Sequence, residues 1–190
     1  MTAANTRPRP GIRAAILECA VDLASAEGLE GVTIGRLARA VEMSKSGLFR
    51  HFGSKKELQL AVIEVAAARF VAAVVEPALG EPEGAPRLRA LCENYLRYIE
   101  LPVLSGGCFW GQVSAEFDDR PGLVRDAVRS AVDAATEGLA REAAIAGAEE
   151  PERLAFQIVA LGQGANLRYR LTEDRRVFAW TRGTLAQLLP

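Results

Sequence analysis

A chain of 190 residues that is 49% hydrophobic has enough apolar material for one compact unit, or for a small domain joined to a larger one. The net charge of −1 excludes a uniformly basic protein, but residues 1–60 carry nine Lys/Arg against six Asp/Glu and residues 61–190 fourteen against eighteen, a basic head on an acidic body that suits nucleic-acid contact by the head alone. Cys19, Cys92 and Cys108 are odd in number and lack C-x-x-C spacing, so neither a disulfide framework nor a zinc site is indicated, and a reducing cytoplasm is the simple reading.

The N-terminus is basic without a secretory apolar stretch behind it, and the Pro-containing arm before Gly11 is expected to be mobile. A first helix is predicted from Ile12 to Glu27, with Ile12, Ala15, Ile16, Cys19, Ala20 and Leu23 on one stripe and Gly28 as its C-terminal cap. Two short helices follow, one opened by Thr33 and the other by the N-cap Ser44, with the turn Val41-Glu42-Met43 between them. Ser54-Lys-Lys-Glu57 has the pattern of a capping box that opens a fourth helix, and Pro77 is expected to stop it. Within it the apolar run Leu60–Val75 is interrupted by Glu64 and Arg69, so it is read as a core helix and not as a bilayer span.

Residues 80–86 read as a loop, and a helix is expected from Arg87 to Leu101 with Leu88, Leu91, Cys92, Tyr95 and Ile99 inward. A Gly-rich bend, a short apolar helix and a Pro-Gly break come next, in SGGCFWGQVSAEFDDRPGLVRDAV. Helices are then predicted over Pro121–Ala146, Pro151–Leu171 and Thr172–Leu189. No strand pattern and no fixed-period repeat occurs, so the chain is expected to be all-α with about nine helices.

The segment TIGRLARAVEMSKSGLFRHFGSKKEL is a helix-turn-helix pattern, and such a motif leads into the major groove with the N-terminal residues of its second helix, here Ser44, Lys45, Ser46 and Gly47. In these residues the chain resembles the tetracycline-repressor (TetR) family of transcriptional regulators. That family's pattern runs roughly T-x-x-x-[IL]-A-x-x-A-G-V-S-x-x-x-[LV]-[YF]-x-[HY]-F-x-x-K-x-x-L. Thr33, Leu37, Ala38, Ser44, Leu48, Phe49, His51, Phe52, Lys55 and Leu58 fall on it in register, while Val41, Glu42 and Met43 stand where Ala, Gly and Val are usual. Glu42 matters most, because a left-handed turn residue is easy for Gly and strained for Glu.

The resemblance implies an N-terminal DNA-binding domain over residues 1–53 and a C-terminal ligand-binding and dimerisation domain over residues 54–190. It further implies a cytoplasmic homodimer that binds a palindromic double-stranded DNA operator and responds to a small-molecule effector, with no cofactor, metal or membrane partner. The rivals are a constitutive or architectural DNA-binding protein without an effector and, more distantly, a helical enzyme or carrier.

Expected DNA-contacting residues are Thr33, Ser44, Lys45, Ser46, Gly47, Phe49, Arg50, His51 and Lys55, with Lys55 placed for a phosphate at the start of the fourth helix. Phe49 stands where the family often has Tyr and cannot make a phenolic hydrogen bond. Tyr95, Tyr98, Cys108, Phe109, Trp110, Gln112, Phe117, Phe156 and Asn166 are candidates for a largely apolar effector pocket. Leu154, Ile158, Leu161, Ala165, Val177, Phe178, Leu185 and Leu188 form stripes on the last two helices that are assigned to dimerisation, with Gly162 and Gly164 permitting close approach. His51 is the single histidine, and neither a G-x-S-x-G elbow nor a phosphate loop is present, so no catalytic role is expected.

Overall fold

The computed structural model describes residues 11–101 and 104–190, and the predicted basic arm before Gly11 lies outside them. The described residues form nine α-helices and no strand. The N-terminal helices are the long α1 (Ile12–Gly31) and the short α2 (Ile34–Ala40) and α3 (Lys45–Phe52). The side chains of Thr33 and Ser44 accept hydrogen bonds from the backbone N–H groups of Arg36 and Gly47, capping α2 and α3. Each such cap contributes about 1 kcal/mol. Leu37, Leu48 and Phe52 are buried in the same apolar core as Ile16, Ala20 and Val21 of α1, and the Arg13 guanidinium lies 5.1 Å from the Phe52 ring centre.

α4 (Lys55–Phe70) is opened by Ser54, whose side chain accepts from the Glu57 N–H. Its buried face of Leu58, Val62 and Ala66 lies against α1 and α7, so this apolar run serves as a core helix, although Lys55–Gly80 as a whole has the length and composition to cross a membrane. Pro77 does not stop the rod where expected. The helix loosens into a π turn over Val71–Val75 and tightens into a 3-10 turn over Glu76–Gly80, where Pro77 sits in the first turn and forfeits no intrahelical donor. The wide turn is tied to α5 (Ala85–Glu100) by Asn94 Nδ2, which donates to the Val74 carbonyl at 3.0 Å.

α6 (Phe109–Phe117), α7 (Leu123–Ile145), α8 (Pro151–Thr172) and α9 (Arg176–Leu188) complete the chain. Their core includes the fully buried Phe109, Ile158 and Phe178, and burying each such side chain contributes about 1.5–3 kcal/mol. Several boundaries differ from the sequence expectation, α5 among them, which begins at Ala85 and not at Arg87. α1 bends at Gly28 (φ 77°) but resumes for one turn to Gly31. α7 begins at Leu123, after Pro121. α9 begins at Arg176, after Glu173 takes a left-handed conformation (φ 56°), and Asp174 Oδ1, just ahead of the helix, accepts from the Arg176 N–H at 3.0 Å.

The stripe assigned to dimerisation requires correction. Leu154, Ile158, Ala165, Val177, Phe178 and Leu185 are buried within the monomer core, and Leu161 is half-buried against it. The opposite face of α8 is apolar as well, with Phe156, Leu167 and Leu171 exposed at 67%, 70% and 78%, and on α9 Trp180 is exposed at 59% and Leu188 is open to solvent. The periodicity is helical on both faces, and burial by α5 and α7 decides which one the monomer uses.

Candidate DNA-binding face and effector-domain core

The turn before α3 keeps its left-handed residue despite the substitution. Glu42 adopts φ 53°, and the Met43 N–H donates across the turn to the Ala38 carbonyl at 2.9 Å. Leu48 and Phe52 anchor the inner side of α3, while Ser44, Lys45, Ser46, Phe49, Arg50 and His51 are exposed and Gly47 is half-buried.

Thr33, Gly35, Arg36, Arg39, Met43 and Lys45 line one open cleft between α2 and α3. Lys45 lies over Gly35, where an added Cβ would come within 3.2 Å of Lys45 Cε, so the glycine leaves room for the lysine stem. Arg36 and Arg39 enlarge the cationic face beyond the residues named from the sequence, although Arg36 is paired with Glu27. Their spacing of three on a short helix was a legible signal. His51 lies apart from this cleft, in a second one shared with Arg13, Phe52 and Glu57. Lys55 is half-buried and already engaged, with Nζ 2.7 Å from Glu30 Oε2.

In the C-terminal helices Tyr95, Cys108 and Asn166 come together. Asn166 Oδ1 accepts from the Cys108 N–H at 3.2 Å, and Gln163 Nε2 lies 3.5 Å from Cys108 Sγ. Phe70 packs edge-on against Tyr95 and Tyr98, with centroids at 6.0 and 5.5 Å. Gly162 is required here, because a Cβ would run into the Tyr95 ring. Phe109, Trp110 and Phe117 are buried beside this cluster, with Trp110 edge-on to Phe109 at 5.1 Å. Gln112 and Phe156 do not join it. Gln112 is on the exposed side of α6, and Phe156 is on the solvent face of α8.

Gln163 is the member that sequence reasoning missed, and its signal was a polar side chain between Gly162 and Gly164, following the apolar run Ile158-Val159-Ala160-Leu161. Burial raises the Cys108 thiol pKa and raises that of Tyr95 well above the usual phenol range, so the cluster is neutral. Among the described residues no group of His, Cys, Asp and Glu could hold a metal.

Comparison with known proteins places this architecture. Residues 16–62 match the family described as bacterial regulatory proteins, tetR family, and residues 84–185 match the tetracyclin repressor-like C-terminal domain. The chain belongs to the tetracycline-repressor family. It is similar to the HTH-type transcriptional repressor AcnR of Corynebacterium efficiens, with 36% identity over 91 residues, covering 48% of this chain and 46% of that protein. The match therefore spans about half the length of that curated relative. A TetR transcriptional regulator from Chloroflexus aurantiacus is 27% identical with a TM-score of 0.80 over 92% of both chains. AibR, solved in complex with isovaleryl coenzyme A and operator DNA, shares the fold at 20% identity and a TM-score of 0.77, covering 94% of this chain and 98% of that one.

Proposed function

We propose that this chain is a transcriptional repressor that binds a palindromic operator as a homodimer and releases it when a small molecule enters the C-terminal helices. The observation that carries the reading is α3, anchored by Leu48 and Phe52 and presenting Ser44, Lys45, Ser46 and Arg50 to solvent beside the cationic cleft of α2. Residues 1–53 supply the contact with DNA and residues 54–190 supply effector binding and dimerisation, in the cytoplasm where the DNA is. The neutral cluster of Tyr95, Tyr98, Cys108, Gln163 and Asn166, walled by Phe70, Phe109 and Trp110, suits an uncharged or weakly polar effector group. AibR, with its acyl thioester and operator, is a precedent for this fold serving both ligands. The second copy would sit on the exposed face of Phe156, Leu167, Leu171 and Trp180.

Operator selection from a random DNA pool, followed by titration of Lys45→Ala, tests the reading. Loss of a base-reading lysine should cost about 1–3 kcal/mol on the selected site and relax preference at one position per half-site. A Lys45→Ala protein that selects and binds the same sequence as well as the parent would contradict the assignment.

A further inference from the structure

Glu30 stands where the two domains meet, and its carboxylate occupies the cation assigned above to a phosphate. Lys55 Nζ donates to Glu30 Oε2 at 2.7 Å and to the Glu30 carbonyl at 3.3 Å, so two of its three donors are in use. Gln59 Nε2 donates to the other carboxylate oxygen at 2.9 Å and fixes its orientation. The backbone under Glu30 is in turn held by the C-terminal domain. Glu116, on α6, accepts from the Leu29 N–H at 2.6 Å through one oxygen and from the Glu30 N–H at 2.9 Å through the other. Gly28 leaves room for this, since a Cβ there would lie 2.5 Å from Glu116 Oε2. α6 also carries Phe109 and Trp110, which wall the proposed effector cluster, and begins just after Cys108, whose N–H is bonded to Asn166 of α8.

We propose that Glu30 competes with DNA phosphate for Lys55, and that Glu116 sets how firmly it competes, so that the position of α6 adjusts DNA affinity through two carboxylates. The inference rests on the reading of Lys55 as a phosphate contact. The Glu30–Lys55 pair is about two-fifths exposed on both sides. A pair of that kind is weak enough for a phosphate to displace, yet sufficient to shift affinity roughly two- to five-fold. Movement of α6 away from α1 would release the Leu29 and Glu30 N–H groups together, and the turn carrying Glu30 would lose its anchor.

Fluorescence anisotropy of the full-length protein on a random-sequence duplex, over a salt series, tests this. Glu30→Gln should bind roughly two- to five-fold tighter than the parent, with the slope of log affinity against log salt steeper by about 0.9, the value of one added phosphate contact. Lys55→Ala should bind more weakly, and the double variant should be no tighter than Lys55→Ala. Glu116→Ala should shift affinity in the same direction as Glu30→Gln and add nothing to it when the two are combined. Glu116→Gln, which keeps the shape and one acceptor, replaces it should the alanine variant fail to fold.

Weakening by Lys55→Ala with Glu30→Gln equal to the parent in affinity and slope would overturn the competition while leaving Lys55 as a DNA contact. No effect of Lys55→Ala would remove the proposal at its base. Parental DNA affinity in both Glu116 variants, with only a lowered melting temperature, would confine Glu116 to a structural role and overturn the relay.

Discussion

At Glu42 the turn geometry prevails over the preference of the side chain. A φ of 53° costs an L-residue with a Cβ roughly 1–2 kcal/mol, and glycine avoids that cost while losing some of the advantage to its freer unfolded chain. Glu42→Gly should therefore raise unfolding stability by about 1 kcal/mol, read as a higher urea midpoint at unchanged slope; a lower midpoint would show that the Glu42 side chain makes up the cost. Cys108 is 1% exposed and its thiol is pushed up by burial, so it should resist iodoacetamide in the native state at neutral pH and react only on unfolding. Mass spectrometry after brief alkylation decides this, and rapid native modification of Cys108 would contradict it.

The caps at Thr33, Ser44 and Ser54 were legible because each acts within three residues of itself. Glu30 and Glu116 were not. Their bond joins residues 86 apart, and a carboxylate on a short apolar helix reads locally as a solvent-facing charge or a cap for the next helix. Glu116 lies two residues before the Asp118-Asp119 pair, yet its carboxylate faces the end of α1 and accepts from the Leu29 and Glu30 N–H groups.

Among the elements, α8 and α9 show what periodicity can and cannot decide. Both carry apolar residues on two faces, so the pattern identified helices with an excess of apolar surface but not which face the monomer consumes. Leu167→Glu or Trp180→Glu should therefore leave a folded protein that sediments as a monomer. Phe178→Glu should unfold the chain, because it places a charge in a core position that is 1% exposed. Folded Phe178→Glu, or dimeric Leu167→Glu with Trp180→Glu, would reverse this assignment of faces. The rod from α4 to Gly80 follows the same logic. α-helical geometry already gives way at Val71, and the 3-10 turn that follows accepts Pro77 in its first turn, with Asn94 supplying a contact that no local rule contains.

For the molecule as a whole, the two domains are joined by a clasp between α1 and the Ser105-Gly106 bend. The carboxylate of Asp22 on α1 accepts from the N–H and hydroxyl of Ser105 at 2.7 and 3.0 Å, and Ser25 Oγ accepts from the Gly106 N–H at 3.0 Å. Gly106 is obligatory in this contact, since a Cβ would collide with the Ser25 carbonyl, which is backbone and cannot swing aside. Gly106→Ala should cost about 1–3 kcal/mol of stability, measured by thermal unfolding, and an unchanged melting temperature would show that the loop re-routes freely.

Selection of operator DNA by the full-length protein from a random pool tests the dimeric, DNA-reading function most directly. Two copies joined through α8 and α9 should enrich an inverted repeat whose half-site centres lie about 34 Å apart or a whole number of turns beyond that, and Leu167→Glu should lose affinity for it. Enrichment of a single unrepeated site, or of no sequence at all, would contradict the proposal.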